Sequence, residues 1–79
     1  MADKAYVLLD IVDGKWEQAV QALRRQAGVV MADVLDGPPD VAMVVEAQDA
    51  QKLAQLTVEA LASVEILTEH VRLLPTKDG

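Results

Sequence analysis

The tetrapeptide Gly37-Pro38-Pro39-Asp40, near the middle of the chain, belongs inside neither a helix nor a strand. Two successive prolines remove two backbone N–H groups and fix two φ angles, so only a turn accommodates them. On either side lie two β-branched, apolar segments, 29–36 (Val-Val-Met-Ala-Asp-Val-Leu-Asp) and 41–47 (Val-Ala-Met-Val-Val-Glu-Ala). Strand-forming composition on both sides of a turn predicts an antiparallel hairpin.

The rest of the chain is arranged around that hairpin. Residues 5–12 read as a strand closed by Asp13-Gly14. Trp16, Ala19, Val20 and Leu23 recur at helical spacing, with Glu17, Gln18, Gln21, Arg24 and Arg25 between them, which predicts a helix over 15–26 stopped by Gly28. Asp49 is a good N-cap for a second helix over about 50–62. Residues 64–74 complete the pattern as a last strand, and 75–79 read as a flexible tail. A weak internal repeat, Val12-Asp13 with Gln48-Asp49 and Ala27-Gly28-Val29 with Ala62-Ser63-Val64, divides the β-α-β-β-α-β order into two halves. Interleaved with right-handed crossovers, these halves give a ferredoxin-like α+β domain. It has one four-stranded antiparallel sheet and both helices on one face. The whole of 1–79 is then a single domain.

A sheet covered on one face should alternate apolar and polar residues. This chain does not. Val7, Leu9 and Ile11 point one way, but Tyr6, Leu8 and Val12 point the other, and Ala42 and Val44 oppose Met43 and Val45. The composition agrees, at 52% hydrophobic with only 3% aromatic in 79 residues. A domain this small buries only about 60% of its unfolded surface. An apolar face of several hundred Å² is rarely left to water. We therefore expect an obligate homodimer whose sheets pack face to face through Tyr6, Leu8, Val12, Ala42 and Val44.

Charge and residue inventory exclude other classes. The net charge of −6 argues against autonomous binding to DNA or anionic membranes. With no cysteine and one histidine, disulfides, cysteine metal sites and multi-histidine sites are ruled out. No apolar run approaches the ~18 residues of a membrane span. Met1-Ala2-Asp3-Lys4 does not open a secretory signal, so a cytoplasmic protein is expected. His70 lacks the partners of a triad or metal set and is expected to be a satisfied structural histidine. Trp16 and Tyr6 are expected at helix–sheet or dimer contacts, and Arg24-Arg25 on a solvated helix face. Asp10 and Asp13 do not form an acid–base pair, and Gly14-Lys15 lacks the remainder of a phosphate loop. No cofactor is expected.

The ordered set of landmarks resembles the effector-binding (RAM) domain of the Lrp/AsnC transcription regulators. The landmarks are Ala5-Tyr6-Val7-Leu8, Gly14, Gly28-Val29-Val30, Asp36-Gly37-Pro38-Pro39-Asp40, Glu46-Ala47-Gln48-Asp49 and the stretch Val64 to Leu74. The resemblance covers residues 5–74 and implies a dimeric α/β barrel, often assembled into rings of dimers, that binds amino acids between dimers. Only four residues precede residue 5, so the expectation is a stand-alone domain without the family's helix-turn-helix, able to act alone or beside a full-length regulator.

The same resemblance places a ligand site at the hairpin. Gly37 and Asp40 match the family's glycine and aspartate, Val41 follows them, and Pro39 stands where an aromatic residue is usual. An amino acid needs an anion for its ammonium and N–H donors for its carboxylate. Asp40 is either that anion or an acceptor for the turn's own N–H groups, while Pro38 and Pro39 remove two donors. In the last strand the family's threonine positions hold Leu67 and Glu69, and Glu69 is the candidate there for a cationic ligand. Two other readings stay open. One is a small dimeric α/β-barrel enzyme, of monooxygenase or isomerase type, using His70, Tyr6 and Trp16 in an interior pocket. The other is an ACT-like amino-acid sensor using Gly14.

Overall fold

The computed structural model describes residues 2–74. The elements run β1 (Asp3–Ile11), α1 (Trp16–Arg24), β2 (Val29–Val34), β3 (Val41–Ala47), α2 (Ala50–Ser63), a 3-10 turn (Glu65–Leu67) and β4 (Thr68–Leu74). The strands form one antiparallel sheet in the order β2-β3-β1-β4, giving the ferredoxin-like α+β fold. The tail expected at 75–79 lies outside the described residues. No helix among the described residues is long and apolar enough to cross a membrane.

One face of the sheet carries the core. Val7, Leu9 and Ile11 of β1 and Val41, Met43 and Val45 of β3 alternate into it, all at most 2% exposed. Ala19, Val20 and Leu23 of α1 and Leu56 and Ala60 of α2 close over them. α1 packs mainly on β2, and α2 on β3 and β1. The two helices therefore cover three strands and leave β4 bare. Six of the seven β4 residues are exposed.

Several element boundaries depart from the sequence expectation, each for a local reason. β1 ends at Ile11 rather than 12. Val12 instead donates its N–H to the Leu67 carbonyl at 2.8 Å and accepts from Lys15 N–H at 3.0 Å, so it belongs to a turn. β2 ends at Val34 rather than 36. α1 ends at Arg24, four residues before Gly28, so Gly28 is not its cap. Gly28 has φ +86°, and an added Cβ would lie 2.6 Å from Leu56 Cδ1 and 3.2 Å from the Glu46 carbonyl. Its own carbonyl accepts from Glu46 N–H at 2.8 Å. Glycine is required here by both a left-handed backbone and the close seating of α2. Asp49 caps α2 as expected, accepting from Lys52 N–H at 2.7 Å.

The last strand starts at Thr68 rather than 64. Val64 is fully buried beneath α2, and its carbonyl accepts both Leu67 N–H and the Thr68 hydroxyl, at 2.9 and 2.8 Å. Those bonds hold 65–67 in a 3-10 turn and keep it out of the sheet.

Candidate functional site

The face of the sheet opposite the helices is built by cross-strand register. Tyr6 stands opposite Val44 on one side and Leu74 on the other, and Val44 opposite Met31. These four make an apolar row across the whole sheet. The next row runs Asp33, Ala42, Leu8, Arg72. Beyond it Asp10 faces His70. At the opposite end Lys4 faces Glu46, with Nζ 3.8 Å from Oε2. An apolar band thus lies between two charged ends, the anatomy of a contact surface with a polar rim.

Exposure within the band is uneven. Tyr6, Met31 and Leu74 are 39–42% exposed, whereas Val44 is only 8% exposed between its cross-strand neighbours. Of the expected contact residues, Tyr6, Leu8, Ala42 and Val44 share this face. Val44 contributes little open surface, and Val12 lies beyond the strand. Met31 and Leu74 join the face in addition to the expected set. A bulge in β2, where Val29 pairs with Val45 and Met31 with Val44, leaves Val30 as the extra residue and shifts the side-chain phase.

At one charged end a recess of about 340 Å³ opens against the hairpin. Leu8, Asp10, Pro38, Pro39, His70, Val71 and Arg72 line it. His70 Nδ1 lies 3.8 Å from Asp10 Oδ2, and the His70 side chain is 81% exposed. The histidine expected to be a satisfied structural residue is a surface residue in this recess. The Pro38–Pro39 peptide bond that shapes the wall is cis. The recess therefore brings a carboxylate, a guanidinium and an imidazole beside apolar Leu8 and the prolines.

Of the expected ligand residues, Gly37, Asp40 and Val41 lie together at the β2–β3 hairpin, and Glu69 lies apart from them in β4. Asp40 Oδ2 accepts Ile11 N–H at 2.9 Å, Asp40 N–H donates to the Leu9 carbonyl at 2.9 Å, and the Asp40 carbonyl accepts from Leu35 N–H at 2.7 Å. Asp40 thus serves the backbone and ties the hairpin to the end of β1. Gly37 has φ +103° with nothing within 4 Å of an added Cβ, so its glycine answers to turn geometry and not to close approach. Val41 is fully buried in the core. Glu69 is the extra residue of a bulge in β4, since Asp10 pairs with His70 and Ile11 with Thr68. It lines a groove beside α2 that shares His70 and Val71 with the recess and that neither Gly37 nor Asp40 lines.

The remaining singled-out residues also sit at the surface. Tyr6 and Trp16 are 41% and 38% exposed, so neither they nor His70 faces an interior pocket. Gly14 has φ +81° in an open turn after β1. Arg24 is not simply solvated. Its Nε donates to the Ala32 carbonyl and its Nη2 to Asp33 Oδ1, both at 2.9 Å, pinning α1 to β2. Among the described residues no group of three or more metal-ligating side chains is assembled.

No family model matches the chain, and no curated protein matches it in sequence. Solved structures do match its fold. A Thermus thermophilus protein superposes with TM-score 0.83 at 20% identity, over 100% of this chain and 96% of that one. FFRP-DM1, from the Lrp/AsnC regulators, superposes with TM-score 0.78 at 22% identity, over 94% of this chain and 96% of that one. The E. coli Tat proofreading chaperone NapD superposes with TM-score 0.76 at 23% identity, over 99% of this chain and 80% of that one. At these identities the similarity establishes the fold.

Proposed function

We propose that the chain is a self-associating regulatory module of the kind that Lrp/AsnC regulators use for amino-acid binding and oligomerisation. It acts as a binder and not as a catalyst. The observation that carries this reading is the zoned, helix-free sheet face. Its apolar row, bordered by Lys4–Glu46 at one end and Asp10–His70 at the other, suits face-to-face packing with a second copy. Dimers formed this way are the units from which rings, or mixed assemblies with a full-length regulator, are built.

The recess at the charged end supplies the chemistry for a small effector. Arg72 matches a carboxylate, Asp10 an ammonium group, and Leu8 with Pro39 an apolar side chain. This puts the effector about Asp10 and Arg72 instead of the Gly37, Asp40, Val41 and Glu69 set. Thermal unfolding in the presence of each of the twenty amino acids tests it. A ligand bound only to the folded form adds about 2.7 kcal/mol at a hundred times its Kd. At least one amino acid is expected to raise the midpoint, and Arg72→Ala is expected to abolish that rise. No rise with any amino acid would remove the effector role and leave assembly alone.

A further inference from the structure

A second surface lies on the helix side of the sheet, opposite the face assigned to self-association, and meets the recess of that face at His70 and Val71. α2 packs on β3 and β1 and stops short of β4. The helix-side residues of β4, Val71 and Leu73, are consequently 44% and 57% exposed, and Val58 of α2 is 65% exposed. Between them runs a groove of about 430 Å³ whose apolar floor includes Val58, Leu61, Ala62 and Val71. Glu65 and Glu69 stand in its wall. Neither carboxylate has an ion-pair partner among the described residues. β4 ends the sheet order, so its outer backbone groups have no strand beside them among the described residues.

We propose that this groove docks an extended segment of a partner protein that adds to β4 as a fifth strand. The segment carries apolar residues at alternate positions and a lysine or arginine among them. Backbone pairing to an open edge supplies the alignment, and alternate side chains supply selectivity. With alternate residues on the groove side, the apolar ones meet Val58, Leu61 and Val71. The basic one meets Glu65 and Glu69, whose charge no ion pair among the described residues answers. The overall charge of −6 draws the same kind of partner at longer range. An uncovered edge strand with exposed apolar residues is otherwise a hazard that natural domains suppress, which favours a use for it.

The test uses the whole chain and a panel of fluorescent heptapeptides. Alternate positions hold Val, Leu or Ile with one Lys or Arg, and Thr fills the positions between. A matched panel replaces the basic residue with Glu. Anisotropy is expected to show the basic peptides binding about ten-fold more tightly or better than their acidic counterparts, a difference of about 1.4 kcal/mol. The double variant Glu65→Lys, Glu69→Lys is expected to reverse that order. Val58→Lys, on an exposed helix surface, is expected to abolish binding while leaving the assembly state unchanged. The proposal is overturned if no basic peptide binds, if basic and acidic peptides bind alike, or if Val58→Lys binds as the parent does. It is also overturned if Val58→Lys reduces the assembly size, because the groove would then belong to a second copy of the chain.

Discussion

The two edge strands of this sheet are treated in opposite ways. β2 is six residues long, bulged at Val30, packed under α1 and pinned by the Arg24 guanidinium. β4 is seven residues long, bulged only at Glu69, and bare on its helix side. Short length, a bulge and a covering helix are the usual means of keeping a sheet edge from pairing with other chains. Both edges carry a bulge and their lengths differ by one residue, so the covering helix is the device that β2 has and β4 lacks. The bareness of β4 follows from two helices spanning three strands. A small domain gains little stability from covering a fourth strand, so the β4 edge is left open.

The difference between the edges is broken most severely at Gly28. Replacing it with alanine combines a left-handed backbone cost of about 1–2 kcal/mol with overpacking of about 1–3 kcal/mol against Leu56. Urea unfolding of Gly28→Ala is expected to show a loss of about 2–5 kcal/mol in total, the sum of those two costs. Asp40→Ala comes next, because it strands the part-buried Ile11 N–H. A loss of about 1–3 kcal/mol is expected, with faster amide exchange at Ile11, and Asp40→Asn should retain most of the stability through its carbonyl oxygen.

A smaller effect sharpens the comparison directly. Arg24→Ala removes one bond to the Ala32 carbonyl and a pair with Asp33 whose side chains are more than half exposed. Solvent screening discounts the pair, leaving a loss of about 1 kcal/mol. Amide exchange should accelerate in β2 and not in β4. The smallest effect is expected at Leu73→Thr on the open edge, within about 0.5 kcal/mol of the parent. If Leu73→Thr cost more than Arg24→Ala, β4 would be packed in a way that the domain alone does not provide.

The order of elements was legible because turn and cap signals are local. Gly37-Pro38-Pro39-Asp40, Asp13-Gly14 and the Asp49 cap each mark a boundary within a few residues of sequence. The apolar character of both sheet faces was legible for a similar reason, since alternation within β1 and β3 can be read strand by strand. What escaped were features created by pairing. The bulges at Val30 and Glu69 exist only relative to a neighbouring strand, and each shifts which side chains share a face. Met31 and Leu74 join the apolar row for that reason. Asp40 finds its partner at Ile11, twenty-nine residues away, and no local pattern announces such a bond. The place of Val41 after the hairpin suggests a site residue, whereas its parity with Met43 and Val45 points it to the core. His70 and Arg72 look ordinary in sequence because the recess they line needs Leu8, Asp10 and the hairpin prolines to close it.

Self-association through the helix-free face is the claim on which the functional reading turns. Sedimentation equilibrium at micromolar concentration measures it directly, on the parent chain and on Tyr6→Glu, which places a charge in the middle of the apolar row. The parent should sediment as a dimer or a multiple of one, and Tyr6→Glu as a folded monomer with unchanged far-ultraviolet circular dichroism. A parent chain that stays monomeric, or a Tyr6→Glu variant that associates as the parent does, would contradict it.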